Sequence, residues 1–342
     1  MKANEISIRC PNIEEERQLR HIWRCVFGKG EESAFFGFYY DPELCIAAIE
    51  DGVPVAAGYL LPTGDAVYGA TSLPCAMIYG VATLPGHRCQ GLGAAVVRVL
   101  LRLGNDLGFP TIALCPSEDS LFGFYSARSE LREWFYIDEQ KLVISTSVDA
   151  SCKGRDRVGD RNRDSGARIM PREVSHSDYG RLRESLLIGI PHIRADERAL
   201  SYQELLCHES NGALVQIDTP GGVSCAIVEP RQEEPLLIKE LLAPDGFEPD
   251  AISSIMLASH ANECVVRVPA RSQNQHTQSA NNAIVSSDPA PTEHCRDAVL
   301  CRFPNGGADT TVRRFGMISA PDYLYVATVG QSVMPWFGLA FD

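Results

Sequence analysis

The sequence predicts an α/β fold: a mixed sheet with helices on both faces, built as two similar units in tandem, the second degenerate, and closed by a short β-rich C-terminal segment. Three observations predict it. Apolar spacing switches between a period of two and a period near 3.6 along residues 6–144, in the order β-α-β-β-β-α-β-α-β. A glycine turn, Arg88-Cys89-Gln90-Gly91-Leu92-Gly93, separates an apolar strand from an amphipathic helix. The central order, hairpin then strand then helix then strand, recurs over residues 213–268.

Residues 6–10 read as the first strand. Asn12 caps the next helix with Glu15 at the capping-box position, and Leu19, Ile22, Trp23, Val26 and Phe27 fall on one face before Gly28 stops it. Residues 45–50 and 53–61 form a hairpin about Asp51-Gly52, a pair that tolerates the positive φ of a tight turn. Residues 73–83 are the next strand. The helix after the glycine turn carries Leu92, Val96, Val99, Leu100, Leu103 and Leu107 on one face, with Arg98, Arg102, Asn105 and Asp106 opposite. Residues 111–115 form a short buried strand, 120–128 a short helix and 134–144 a strand.

Residues 150–168 are charged and nearly free of apolar side chains, a polar linker between a first domain (1–149) and a second (169–270). In the second domain, helices are predicted around residues 182–189 and 199–209, strands at 213–217, 223–228 and 236–242, a helix at 250–261 and a strand at 264–268. Its turn, Ala243-Pro244-Asp245-Gly246-Phe247-Glu248-Pro249, has one glycine and carries acids where a phosphate would have to sit, so this copy keeps the fold without the anion site. Residues 271–296 form a polar insertion expected to be mobile. Residues 297–342 resume strand character at 298–303, 315–318 and 323–329, completing the second domain, and the aromatic end Trp336-Phe337 is expected to dock on the body.

The chain has 342 residues and 45% hydrophobic content, enough for ordinary cores. Its formal charge of -13 argues against a nucleic-acid partner, which would need clustered Lys and Arg. An acidic surface steers cations, but acidity also serves solubility alone, so charge selects no ligand. Apolar runs are too broken for a membrane span, and residues 1–5 lack the apolar region of a signal peptide. Twelve scattered cysteines, none as Cys-x-x-Cys, fit buried reduced thiols and a cytoplasmic location. The adjacent pairs Cys207-His208 and His294-Cys295 do not make a metal site, and no metal is expected. No interface signature decides for or against a homo-oligomer.

The first turn of a helix leaves backbone N–H groups without partners, and glycines let those groups approach phosphate oxygens. The helix dipole adds about 0.3–1 kcal/mol for an anion there. A phosphate-bearing ligand is therefore expected at Arg88–Gly93. The bland alternative is that Gly91 and Gly93 serve only tight strand–helix packing.

The Arg/Gln-x-x-Gly-x-Gly turn, set between the fourth strand and its helix, resembles the pyrophosphate loop of the GCN5-related N-acetyltransferases, the GNAT superfamily. Two such units with only the first complete, the stretch Val81-Ala82-Thr83-Leu84-Pro85-Gly86-His87-Arg88-Cys89-Gln90-Gly91-Leu92-Gly93, and Ser117-Glu118 after Pro116 are similar to the tandem "enhanced intracellular survival" acetyltransferases and their bacterial relatives. Those relatives carry a third domain to which only residues 297–342 could correspond. The resemblance implies acetyl-CoA as co-substrate. The backbone of Val81, Ala82 and Thr83 would pair with the pantetheine arm. Arg88, Cys89, Gln90, Gly91, Leu92, Gly93 and Ala94 would hold the pyrophosphate, and Ser117 and Glu118 would flank the thioester.

The implied activity is N-acetylation of a small or exposed primary amine by direct transfer. An amine of pKa ~10.4 costs about 4–5 kcal/mol to deprotonate at neutral pH, so a base or a desolvating pocket helps. The resemblance gives Tyr125 as acid for the leaving thiolate, although counting from Ser117-Glu118 places the relatives' tyrosine at Phe122, and Ser129-Glu130 replaces their Gly-Phe. The fourth strand offers no carboxylate of its own. By resemblance the base is the chain's terminal residue, Asp342, with Glu118 as the alternative. Glu240, on the second unit's strand, reads as a surface carboxylate, with a position facing the cleft as the alternative. Two other readings stay open: a non-catalytic acyl-CoA-binding regulator, and transfer of a longer acyl group.

Overall fold

The computed structural model describes residues 5–143, 169–270, 310–327 and 334–338. In the first unit, strands β1 (Ile6–Arg9), β2 (Cys45–Glu50), β3 (Val53–Tyr68), β4 (Thr71–Thr83), β5 (Thr111–Leu114) and β6 (Arg132–Val143) alternate with helices α1 (Glu16–Phe27), α2 (Glu32–Phe38), α3 (Leu92–Asp106) and α4 (Asp119–Arg128). The second unit has β7 (Arg172–Glu173), α5 (His176–Leu186), β8 (His192–Ala195), α6 (Glu197–Glu209), β9 (Ala213–Thr219), β10 (Gly222–Glu229), β11 (Leu236–Leu242), α7 (Glu248–Ala258) and β12 (Glu263–Pro269). Near the C-terminus follow β13 (Thr310–Ser319) and a short helix, Asp322–Ala327.

All strands join one 13-stranded sheet, in the order β1-β2-β3-β4-β5-β13-β6-β12-β11-β10-β9-β7, with β8 added to β3. The two units share a central motif. In each, two antiparallel steps lead to a third strand, which crosses over a helix to a parallel fourth: β2-β3-β4-α3-β5 and β9-β10-β11-α7-β12. On one face, α3 covers Leu60, Ile78, Ile112 and Leu114, while α7 separately covers Ala226, Ile238 and Val266. On the opposite face a single core runs across both units, from Trp23, Phe35 and Tyr59 to Tyr179, Tyr202, Trp336 and Phe337.

Local signals account for much of this. The Asn12 N–H donates to Glu15 Oε2 at 2.6 Å, half of the capping box, and a 3-10 turn (Ile13–Glu15) leads into α1. Asp51 and Gly52 take φ of 48° and 85°, the two positive values the hairpin turn demands. Ser175 and Asp196 cap α5 and α6 by accepting from the N–H groups of Asp178 and Ala199. Of the described cysteines, Cys45, Cys75, Cys207, Cys225 and Cys264 are buried.

Other elements depart from the sequence reading. Helix α2 has no legible signal, because Ser33, Gly37 and a run of aromatics are poor helix formers; it is held by burial of Phe35 and Phe36 against Trp23. Strand character is expected of residues 323–329. Residues 322–327 are helical instead, started by a turn in which the Leu324 N–H donates to Pro321 O at 3.0 Å, and fixed by Tyr325 Oη donating to Ile318 O at 2.8 Å. The C-terminal strands were assigned to the second unit, but β13 lies between β5 and β6 and is antiparallel to both. The expected strand at 298–303 and the linker at 150–168 lie outside the described residues. Among the described residues no helix is long and apolar enough to cross a membrane, and no cluster of three or more His, Cys, Asp or Glu could hold a metal ion.

Candidate functional site

Strands β4 and β5 pair in parallel only from Cys75↔Thr111 to Ile78↔Leu114. Beyond that point β5 ends, while β4 continues to Thr83, bonded to β3 alone through Tyr59↔Tyr79, Ala57↔Ala82 and Ala56↔Thr83. The far edge of residues 79–83 therefore has no strand partner among the described residues. A strand edge opened inside a sheet presents unpaired N–H and C=O groups to an extended ligand. A bulge opposite Gly58 reorients these residues. At its centre Gly80 has φ of 59°, and a Cβ there would stand 2.7 Å from the Trp23 ring, so only glycine fits.

The glycine turn lies at the C-terminal end of the same strand. After a 3-10 turn (Pro85–His87), stapled by a 2.8 Å contact between His87 Nε2 and Glu50 Oε2, Arg88 is extended and its Nε donates to Thr83 O at 3.3 Å. Cys89 and Gly91 then take φ of 61° and 80°. Left-handed residues at alternate positions curl backbone N–H groups toward one side, the geometry of an anion nest. Gly91 is the N-cap of α3 and offers no side chain to its first turn, whose bonding begins with the Ala95 N–H donating to Gly91 O at 3.0 Å. The N–H groups of Leu92, Gly93 and Ala94 thus lack intrahelical acceptors. Residues 88–91 are exposed.

The packing explanation for the glycines fails here. A Cβ at Gly91 would meet nothing within 4 Å, and one at Gly93 would stand 3.6 Å from Thr83 Oγ1, an ordinary contact. Neither glycine is required by close strand–helix approach. Cys89, a non-glycine residue in a left-handed conformation, stores about 1–2 kcal/mol of strain in the same loop.

Ser117 and Glu118 are exposed at the start of α4, just past the end of β5. Because β4 and β5 are parallel, residues 79–83, the turn 88–94 and residues 117–118 all lie at one end of the strand pair, the end where ligands of α/β sheets bind. Tyr125 lies further along α4, buried to 7% exposure beside Phe122 in the core under α3. Burial pushes its phenol up to about 12. Asp342 lies outside the described residues.

Two residues that sequence reasoning missed shape this end of the sheet. Arg314 on β13 donates to Asp119 Oδ1 at 2.5 Å and to Glu133 Oε1 at 2.7 Å, and its guanidinium lies 4.7 Å from the Phe122 ring, fixing the start of α4 against β6. Glu31, the N-cap of α2, accepts from Tyr79 Oη at 3.0 Å and so brings to β4 a carboxylate that the strand itself lacks. Burial, then the charge of Glu31, raise the Tyr79 phenol well above its ordinary value. No local pattern could have signalled either residue, since β13 and α2 reach their partners only through tertiary structure.

The equivalent end of the second unit is built differently. Helix α7 starts from Phe247 with Glu248, Pro249 and Asp250 in its first turn, and the Phe247 ring fills the space beside Gly221, 2.1 Å from where a Cβ would lie. Glu248 and Asp250 put negative charge at this helix start, so an anion would be repelled. Glu240 is fully buried, which corrects the expectation of a surface carboxylate.

Residues 13–126 match the model of the acetyltransferase (GNAT) family. No curated protein matches the chain. Among solved structures, the chain is similar to a GCN5-related N-acetyltransferase from Kribbella flavida, at 15% identity over 92% of this chain and 71% of that one, with a TM-score of 0.55. It is also similar to a GCN5-related N-acetyltransferase from Anabaena variabilis ATCC 29413, at 14% identity over 92% and 72%, with a TM-score of 0.59. Eis1 from Mycobacterium abscessus is similar at 13% identity over 77% and 65%, with a TM-score of 0.50. At such identities these likenesses bear on the fold.

Proposed function

Residues 13–126 belong to the GNAT acetyltransferase family, and from that premise we propose that the protein is an acetyl-CoA-dependent N-acetyltransferase that acetylates a small or exposed primary amine by direct transfer. The observation that carries this reading is the open edge of β4 at residues 79–83, placed beside an uncapped helix start with two left-handed residues. That pairing offers an extended arm a strand edge and a diphosphate a cluster of free amides. Buried thiols such as Cys45, Cys75, Cys207 and Cys225 suit a reducing cytoplasm.

Acetyl-CoA supplies an activated thioester. Backbone groups of Val81, Ala82 and Thr83 bind the pantetheine arm as an added strand, the amides of Cys89 to Ala94 with Arg88 bind the pyrophosphate, and Ser117 and Glu118 flank the thioester. Tyr125 donates a proton to the leaving sulfur. With its phenol raised to about 12 by burial, it remains protonated at neutral pH, though as a weaker acid than an exposed tyrosine. The Asp342 carboxylate orients and deprotonates the amine. Glu118 is the alternative base.

Coenzyme A release with a panel of aminoglycosides, polyamines, peptide N-termini and lysine peptides tests the reaction. Tyr125→Phe is expected to lower kcat about 100-fold with KM for acetyl-CoA unchanged, the usual scale for a lost general acid. An unchanged kcat removes the role. Deleting Asp342 is expected to lower kcat by a similar factor, about 100-fold, and to flatten the acidic limb of the pH–rate profile; normal turnover in the folded protein rejects Asp342 as base.

The depth of Tyr125 favours a second reading, a non-catalytic acyl-CoA-binding regulator. Tight binding of acetyl-CoA without amine-dependent thiol release would select it.

A further inference from the structure

The path of the donor fixes where the transferred group would lie. The pyrophosphate turn sits past Thr83, so an arm laid along the open edge of β4 runs back from there toward residue 79. Its far end meets the point where β4 and β5 part, since Ile78↔Leu114 is their last parallel pair. Tyr79 is the first residue beyond that pair. Ile78 and Leu114 pack under α3 and α4 with Leu92, Phe122 and Tyr125, which covers one face of the sheet there. Tyr79 packs on the opposite face, in the core that Trp23 of α1, Phe35 of α2 and Tyr202 of α6 build. An acceptor that reaches the thioester therefore approaches from the face of α1, α2 and α6.

Glu31 stands on that face. It ends the connection between α1 and α2, residues 28–31, in which Gly28 and Gly30 have open space where a Cβ would be. Its side chain is half-buried, and its Oε2 accepts from Tyr79 Oη at 3.0 Å. The next residue, Glu32, is engaged instead by α1, in an ion pair with Arg24 and a 3.5 Å contact with Arg20 Nη1. The second unit reaches the Glu31 carboxylate too. After burial, the charge of Glu31 is the largest cause that raises the phenol of Tyr202, as it is for Tyr79. Tyr202 is fully buried, with its ring centroid 5.6 Å from Phe38 and 5.2 Å from Tyr39. Phenols raised in this way stay protonated at neutral pH and lie beside the carboxylate as neutral dipoles. One carboxylate is thus set at the thioester end of the slot by α2, β4 and α6.

An alkylamine of pKa ~10.4 arrives at neutral pH as the ammonium ion. A carboxylate recognises that ion by charge-assisted hydrogen bonds, which strengthen where aromatic walls exclude water.

We propose that Glu31 binds the ammonium group of the acceptor, with Tyr79 and, from the second unit, Tyr202 as its positioning residues; the acceptor is accordingly a primary amine that is charged in solution. This rests on the transferase reading above. Glu31 selects and holds the amine, and proton removal stays with the base assigned there.

Steady-state kinetics with the panel amine that the parent acetylates fastest, together with calorimetric titration of coenzyme A, tests the assignment. Glu31→Gln keeps the shape and removes the charge. It is expected to raise KM for the amine about 30-fold, the scale of a lost hydrogen bond between charged groups, with kcat changed less than about threefold. Coenzyme A affinity should stay within about twofold, since the pyrophosphate turn is untouched. Added salt should raise KM for the amine in the parent and do so less in Glu31→Gln, where the screened attraction is already gone. Glu31→Asp keeps the charge and should recover part of the loss. Tyr202→Phe should raise KM about threefold, the scale of one neutral hydrogen bond, and add nothing in the Glu31→Gln background.

A parental KM for the amine in Glu31→Gln, equal losses in the Gln and Asp variants, or a matching loss of coenzyme A affinity overturns the role of Glu31 and leaves the transferase reading standing. A parental KM in Tyr202→Phe removes the second unit from acceptor recognition. A parent that binds coenzyme A yet acetylates no amine overturns the transferase reading, and the acceptor of Glu31 with it. If Glu31→Gln does not fold, Tyr79→Phe decides: it removes the hydroxyl that holds the carboxylate and should raise KM for the amine about tenfold, whereas a parental KM overturns the proposal.

Discussion

Gly91→Asp is expected to weaken coenzyme A binding by at least about 100-fold while leaving the fold intact. The space is there, since a Cβ at Gly91 meets nothing within 4 Å. The φ of 80° is one that aspartate tolerates better than most residues, at a cost of about 1 kcal/mol. A carboxylate at the N-cap of α3 would accept from the N–H groups of the first turn and return about 1 kcal/mol, so stability should scarcely change. The amides it would occupy are those assigned to the pyrophosphate. Hydrogen bonds to a charged group contribute about 1.5–3 kcal/mol each, and losing two of them accounts for the factor before like-charge repulsion is added. Titration calorimetry with coenzyme A measures the effect, and thermal unfolding checks the fold. If affinity survives in a stable variant, the diphosphate is not held at this helix start. Gly93→Ala is the companion control: its Cβ would make only an ordinary contact with Thr83, so a loss of affinity there would reflect obstruction of the ligand rather than damage to packing.

The reason this site could be read from sequence is that its chemistry is local. The turn needs positive φ within a few residues of a helix start, and glycines at fixed spacing announce it. The same holds for the Asp51-Gly52 hairpin and for the apolar face of α3, where Val96 and Leu100 are fully buried. What stayed hidden is non-local. Nothing in residues 310–319 says that they insert between β5 and β6, because strand pairing is decided by partners far away in sequence. Helix α2 exists because Trp23 offers Phe35 a stacking partner 4.6 Å away, not because its own residues favour a helix. Strand β11 carried a signal that could have been used. Its seven residues, Leu236–Leu242, are all buried, and the run includes Lys239 and Glu240. Two charges inside an otherwise apolar strand require buried partners. Lys239 has Glu229 at 3.6 Å, and Glu240 has Arg183.

The shared core explains why a unit without an anion site would persist. On the α1 and α5 side, one continuous apolar cluster spans both units, and Trp336 and Phe337 are part of it. The face is closed jointly: Trp23 of α1 and Phe35 of α2 pack on Tyr59, while Tyr202 of α6 stacks on Phe38 and Phe337 stacks on Phe135, so the degenerate copy also supports the first unit.

Glu240→Leu alone should destabilise the protein by about 3–5 kcal/mol, the usual cost of leaving a buried charge without its partner. In a chain of this size that corresponds to a fall in Tm of roughly 10 °C. The loss has identifiable parts. Arg183 is 1% exposed, and burial alone would lower its pKa; the charge and hydrogen bonds of Glu240 outweigh that and hold it above the ordinary guanidinium value. Without the Glu240 carboxylate, the cation stays buried with two carbonyl acceptors and only the more distant Glu184 Oε1, at 3.6 Å. Tyr179 and Trp336 also lose their acceptor, and each buried orphan donor costs about 1–3 kcal/mol. Repair should therefore be stepwise. Adding Arg183→Met removes the stranded charge and should recover most of the loss. Adding Tyr179→Phe removes one orphan hydroxyl and should bring stability near that of the parent. Equilibrium denaturation of the three variants checks the order. If Glu240→Leu unfolds at the parent's denaturant midpoint, the buried pair does not exist as described. If the repaired triple variant regains the parent's stability, the network contributes specificity of packing rather than net stability. Apolar substitutes can restore packing energy, but they cannot restore the directional bonds that fix Trp336 and Phe337 in a single arrangement.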